Sequence, residues 1–199
     1  MRASKSFRLH IGIFGRRNAG KSSILNALTS QEVSIVSEIA GTTTDPVEKP
    51  MELLPLGPVL FIDTAGIDDS GALGEQRIRK TMSVFDRTEL GLIVANYNEW
   101  GDFEETILKE LKDRDIPVIV IFNKYDLAPI NKSLSKSFSG DNIPVVETSA
   151  LTGFGIQNLR QAILDYAPDD FIKRSSIVSD LVGSGEMAVL VVPIDKEAP

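Results

Sequence analysis

The run Gly15-Arg16-Arg17-Asn18-Ala19-Gly20-Lys21-Ser22 follows directly on the apolar stretch Ile11-Gly12-Ile13-Phe14. Glycines at both ends of such a run let the backbone curl, so that successive N–H groups face one point. A helix opening at Lys21 adds the positive end of its dipole there. A lysine and a serine at the close of the loop complete a phosphate site: Lys21 for the β- and γ-phosphates, Ser22 for a hard divalent ion such as Mg²⁺. Asn18, Ala19, Gly20, Lys21, Ser22 and Ser23 are therefore the candidate residues at the phosphate end of a nucleotide. A second apolar run ends in Asp63-Thr64-Ala65-Gly66. A carboxylate at a strand end can hold a water on Mg²⁺, and the Gly66 N–H can reach a γ-phosphate. Alone this pattern is weak; behind a phosphate loop it gains weight.

Asn123-Lys124-Tyr125-Asp126 follows a third apolar run. The Asp126 carboxylate can accept from both N1–H and the exocyclic N2–H of guanine. Adenine lacks that donor pair and would leave the carboxylate unpaired, which is how polar sites discriminate strongly. Asn123 can tie this loop to the phosphate loop, and the Lys124 stem can lie over the purine. Ser149-Ala150-Leu151 comes after the next apolar run, where the Ala150 N–H can meet guanine O6. The ordered set points to GTP and GDP. Residues 29–46 form a polar segment containing Ile39-Ala40-Gly41-Thr42-Thr43-Thr44-Asp45. A threonine there can contact both Mg²⁺ and the γ-phosphate, ordering the segment only with GTP.

These loops need rigid elements beneath them. Short apolar runs at 9–14, 47–54, 59–63, 90–95, 118–122 and 145–147 read as strands, and 21–28, 75–85, 103–113 and 156–166 as helices. In the last helix Ile156, Leu159, Ala162, Ile163 and Tyr166 repeat at helical spacing. The alternation predicts an α/β fold with a mostly parallel six-stranded sheet and helices on both faces. The first two of the middle strands, joined through Pro55-Leu56-Gly57-Pro58, predict a hairpin and one antiparallel edge strand. The chain has 199 residues, 42% hydrophobic and 25% charged, with a net charge of −7 and no cysteine. That balance argues against a bulk nucleic-acid or membrane binder. It excludes disulfides, thiolate metal sites and an iron–sulfur cluster held by cysteines of this chain. No apolar run approaches roughly 18 residues, and no signal-like segment is present, so the expectation is a cytoplasmic protein.

The four motifs in this order resemble a Ras-like P-loop GTPase, and more closely the group containing Era, Der and MnmE. The resemblance covers residues 8–167. Within it, three stretches are similar to the HydF family of [FeFe]-hydrogenase maturation GTPases. They are Gly12-Ile13-Phe14-Gly15-Arg16-Arg17-Asn18-Ala19-Gly20-Lys21-Ser22-Ser23, Gly41-Thr42-Thr43-Thr44-Asp45-Pro46-Val47, and Pro55-Leu56-Gly57-Pro58 leading to Phe61-Ile62-Asp63-Thr64-Ala65-Gly66-Ile67-Asp68-Asp69. This resemblance implies a nucleotide switch in H-cluster maturation, a homodimer for the full-length protein, and radical-SAM maturases and the hydrogenase apoprotein as partners. It implies no nucleic-acid partner. The alternative is an RNA-linked GTPase of the Era, Der or MnmE type; Thr44-Asp45-Pro46 departs from the T-R-D more usual there.

The place where Ras-like enzymes carry a water-orienting glutamine holds Ile67, which cannot hydrogen-bond a water. Resemblance to MnmE implies a K⁺ ion instead, held by Asn18, the carbonyls of Ser37 and Ile39, and Thr42, in place of an arginine finger. It also implies Thr43 as a Mg²⁺ ligand beside Ser22 and Asp63, and Glu75 as the group that positions the water. Lys21, Thr43, Gly66 and Glu75 are thus the candidate catalytic residues. Glu75 reads equally as a first-turn helix glutamate. Asp68 and Asp69 read as a solvated acidic turn, His10 as structural, Trp100 as a surface anchor or partner contact, and Arg16 and Arg17 as pointing to solvent. Residues 1–170 form the expected GTP-binding domain. Residues 171–199 read as a linker and the start of a second, dimerisation domain, or else as a strand folding back on the main sheet.

Overall fold

The computed structural model describes residues 8–29, 47–64, 83–97, 99–129, 134, 138, 143–172 and 189. The elements are β1 (Leu9–Phe14), α1 (Lys21–Thr29), β2 (Val47–Leu53), β3 (Gly57–Asp63), β4 (Leu90–Asn96) and α2 (Asp102–Asp113). They continue with β5 (Val118–Asn123), β6 (Val145–Glu147), α3 (Ile156–Tyr166) and the short α4 (Asp169–Ile172). One six-stranded sheet has the order β2-β3-β1-β4-β5-β6. β2 runs antiparallel to β3, and the other neighbours are parallel.

Side chains alternate faces along a strand, and the core divides accordingly. Leu9, Ile11 and Ile13 of β1 join Leu92, Val94, Ile119 and Ile121 on one face, under Ile24 and Leu25 of α1 and Leu159 and Ile163 of α3. Phe14, Ile62, Ile93, Val120 and Phe122 face the other way, under Ile107, Leu108 and Leu111 of α2. Helices therefore cover both faces, and the central strands read as near-continuous apolar runs because neither face meets water. Gly91 admits α2 closely: a Cβ there would stand 2.6 Å from Leu111 Cδ1.

The hairpin is tighter than the sequence suggests. Gly57 already pairs with Leu53 and opens β3, leaving Leu54, Pro55 and Leu56 as the turn. Gly57 sits at φ 84°, which a left-handed residue at a hairpin corner requires. Pro50 is tolerated because β2 is an edge strand. β4 and β5 each run one residue further than the apolar pattern, ending at the register pair Asn96 and Asn123. Residues 83–87 are helical, the end of the helix expected over 75–85; its beginning lies outside the described residues. Of the tail, only α4 and Val189 are described, so neither reading of residues 171–199 is decided.

Candidate functional site

Every loop of interest leaves the C-terminal edge of the parallel strands, the side where α/β sheets bind ligands. The first connects β1 to α1. Gly15 at φ 148° lies so close to β4 that a Cβ would stand 2.1 Å from Val94 O. Asn18 adopts a left-handed φ of 63°, which asparagine tolerates better than most side chains. Gly20 at φ 96° leaves no room either: a Cβ would sit 2.2 Å from Asn123 Nδ2. Ala19 N–H donates to Arg16 O at 3.2 Å, closing the loop on itself. Lys21 is buried, and its Nζ donates to the carbonyls of Gly15 and Arg16, the latter at 2.9 Å. The ammonium is thereby held across the mouth of the loop, where phosphate oxygens would compete for it.

Asp63 closes β3 beside this loop. Thr64 pins the strand end, its N–H and hydroxyl both donating to Ile13 O, the hydroxyl at 2.6 Å. Ser22 Oγ donates to Asp63 Oδ2 at 3.1 Å. The other oxygen, Oδ1, is buried and has no partner among the described residues. A carboxylate oxygen kept from water without a donor is costly, and such groups persist where a ligand satisfies them. The pair is an all-oxygen donor set next to phosphate-binding N–H groups, and that chemistry fits Mg²⁺. Among the described residues no cluster of three or more His, Cys, Asp or Glu side chains could hold a metal by itself.

The base end is assembled by Asn123, which is 2% exposed at the tip of β5. Its Nδ2 donates to Ala19 O at 3.0 Å. Its Oδ1 accepts from Ala150 N–H at 3.1 Å and from Thr148 Oγ1 at 3.3 Å. One amide thus joins the phosphate loop to both base loops. Ser149 Oγ donates to Asp126 Oδ1 and orients that carboxylate. Tyr125 stacks on Phe154 with ring centroids 4.5 Å apart, bracing the loop from outside. Lys124 turns the chain at φ 66°. The result is a cleft of about 750 Å³ with Asn18, Gly20, Lys21, Ser22 and Ser23 at one end. Lys124, Asp126, Leu127, Ala150 and Leu151 line the other end. The structure therefore brings together the predicted phosphate and base residues. It differs on Ala150: the N–H expected to face guanine O6 donates here to Asn123 Oδ1, so it reaches a base only by sharing that hydrogen.

Two other residues are more engaged than expected. Arg16 is exposed, as expected, but clamped. Its Nε and Nη2 donate to Glu104 Oε1 and Oε2 at 2.8 and 2.9 Å, and its guanidinium lies over Phe103. The Glu104 hydrogen bond raises the Arg16 pKa above its ordinary value, so the group stays charged. Trp100 is not a bare surface anchor. Its ring meets Phe138 edge-on at 4.7 Å and lies against Phe122, so it is partly buried against the edge of the second core cluster. Glu104 itself was not singled out by sequence reasoning. A glutamate in a first helical turn reads as an exposed capping residue, and nothing local says it is fully buried. Arg17 lines the cleft. Ser37, Ile39, Thr42, Thr43, Gly66, Ile67, Asp68, Asp69 and Glu75 lie outside the described residues.

Residues 10–124 match the family described as 50S ribosome-binding GTPase. The chain belongs to this family. The GTPase domain is 34% identical over 166 residues to GTPase Der of Wolinella succinogenes, covering 78% of this chain and 35% of that protein. It is 36% identical over 162 residues to the tRNA modification GTPase MnmE of Nitrosomonas europaea, covering 80% of this chain and 35% of that protein. The chain thus spans about a third of the length of these curated relatives, 35% of each. Among solved structures, an Aquifex aeolicus Era variant bound to GDP·AlF4⁻ aligns with a TM-score of 0.64 at 28% identity. That alignment covers 80% of this chain and 57% of that one. The fold is the Ras-like G domain, and the chain is a GTP-binding and GTP-hydrolysing domain of the Era, Der and MnmE type. Among the described residues no helix of this GTPase is long and apolar enough to cross a membrane.

Proposed function

We propose that this GTPase domain is the nucleotide switch of an [FeFe]-hydrogenase maturation protein, and that hydrolysis changes how it docks on its neighbours and on maturase partners. The observation carrying the chemistry is the cleft joined by Asn123, with Asp126 at one end and Lys21 at the other. The observation supporting the biological role is the run of residues similar to the HydF family, from Gly12 to Ser23 and from Gly41 to Val47.

In this reading Asp126 accepts from guanine N1–H and N2–H, with Ser149 holding its orientation. Asn18, Ala19, Gly20, Lys21, Ser22 and Ser23 hold the phosphates through backbone N–H groups and the Lys21 ammonium. Ser22, Thr43 and, through a water, Asp63 would hold Mg²⁺; bound there, it supplies positive charge for the phosphate oxygens. Asn18, Ser37, Ile39 and Thr42 would hold K⁺. The Gly66 N–H contacts the γ-phosphate, and Glu75 orients the attacking water that Ile67 cannot. Residues 171–199 lead into a dimerisation domain, so the whole protein is a homodimer.

The second reading is an RNA-linked GTPase. Its support is the identity to Der and MnmE, the latter named a tRNA modification GTPase. These relatives favour it over the maturation role, while the net charge of −7 argues against an RNA-binding surface on this domain. Two measurements on the full-length protein separate the readings. Deletion of the gene is expected to abolish hydrogenase activity, and filter binding is expected to give no salt-sensitive retention of tRNA or ribosomal RNA. Normal hydrogenase activity together with tight RNA binding would reverse the assignment.

A further inference from the structure

We propose that Arg16 and Glu104 form a strut that holds the phosphate loop in its binding-competent shape, making both positioning residues for the nucleotide. The inference rests on the reading of the cleft as a GTP site and adds to it the device that sets its geometry.

Arg16 lies inside the phosphate loop but does not line the cleft. Its side chain leaves on the opposite side and forks onto Glu104 with two hydrogen bonds. Glu104 is fully buried in the first turn of α2, and its Oε2 also accepts from Gly101 N–H at 3.1 Å. Both carboxylate oxygens are thus used, and the fork has one geometry, as bidentate pairs do. The glutamate is fixed in turn by α2, whose Ile107, Leu108 and Leu111 are packed on the sheet.

The backbone of Arg16 is a hub on the other side. Its carbonyl accepts from Lys21 Nζ at 2.9 Å and from Ala19 N–H at 3.2 Å. The side chain that is clamped and the carbonyl that holds the phosphate lysine belong to the same residue. Moving the guanidinium therefore moves Lys21's anchor and the turn that presents Ala19. Gly101 keeps the approach open: a Cβ there would stand 3.2 Å from Arg16 Nη2.

A strut differs from a mere charge neutraliser in what a second substitution restores. Arg16→Met keeps an unbranched apolar stem, removes the guanidinium, and leaves the Glu104 carboxylate buried with only Gly101 N–H. It is expected to lower the thermal midpoint and to weaken both GDP and GTP about tenfold, because only part of the population keeps the competent loop. Arg16→Met/Glu104→Leu removes the buried charge. It is expected to regain the midpoint while the tenfold loss of affinity remains.

The test is titration calorimetry of the whole chain with GDP and with a non-hydrolysable GTP analogue, alongside thermal unfolding without nucleotide. The preference for guanine over adenine nucleotide is expected to be unchanged in both variants, since the Asp126 end is not touched. Recovery of wild-type affinity in the double variant, or wild-type affinity in folded Arg16→Met, would overturn the strut while leaving the GTP site standing. Failure of the wild-type chain to bind any guanine nucleotide would overturn the site reading and the strut together.

Discussion

Asn123 donates its side-chain amide to the carbonyl of Ala19 across 3.0 Å, joining residues 104 positions apart. The same side chain accepts from Thr148 and Ala150, so three loops meet on one buried amide. Asn123→Ala would orphan the Ala19 carbonyl and the Ala150 N–H at once. Leaving buried polar groups unpaired costs about 1–3 kcal/mol each. Part of that cost falls on the nucleotide-free chain as well, and we expect nucleotide affinity to fall by about tenfold or more for GDP and GTP alike. Equal affinity in a folded variant, measured by calorimetry, would show that the loops hold their places without the bridge.

In the proposed reading Asp126 sets the identity of the base. Guanine presents two donors to it, whereas xanthine has a carbonyl where guanine has N2–H. Asp126→Asn supplies a donor for that carbonyl and loses the paired acceptor. A loss of GTP affinity of about a hundredfold or more, with a gain for xanthosine triphosphate, follows from unpaired polar groups in a discriminating site. Competition binding with the two nucleotides checks it; an unchanged preference would mean that Asp126 does not face the base.

The orphaned Asp63 Oδ1 separates stability from activity. Asp63→Ala removes a buried, half-satisfied carboxylate, and the nucleotide-free domain should become more stable by about 1 kcal/mol. GTP turnover should fall at least tenfold and need more Mg²⁺ to reach half its maximum, since one of three expected positions for the ion is gone. A variant that is destabilised and fully active would contradict both halves.

Asn18 lines the cleft with a left-handed backbone and is the proposed K⁺ ligand. Turnover in potassium should exceed turnover in sodium at matched ionic strength, and Asn18→Ala should erase the difference. The gain expected from a cation standing in for an arginine finger is about tenfold or more. Equal rates in the two salts would place the missing charge elsewhere.

The phosphate loop, the Asp63 strand end and the Asn123–Asp126 turn were legible because each is local chemistry. Glycines, a lysine and carboxylates at set spacing after an apolar run state their task within about ten residues. The central strands were legible for a similar reason, since burial on both faces leaves unbroken apolar runs such as residues 118–122 in β5. Glu104 was passed over, and the packing of Trp100 was not foreseen, because both sit in polar stretches. Their burial is made by partners far along the chain: Arg16 lies 88 residues from Glu104, and Phe138 supplies the wall for the indole.

By itself the sequence determined the α/β class, the order of elements and the residue types proposed to meet phosphate and guanine, because those follow from periodicity and local spacing. Only the tertiary structure decided which side chains close on one another, Ser22 on Asp63 and Arg16 on Glu104, and that the tie expected of Asn123 ends on Ala19 O. Such pairings depend on how strands are ordered in the sheet and which helix covers which face. Short-range patterns carry no record of which distant polar group each buried donor or acceptor will find.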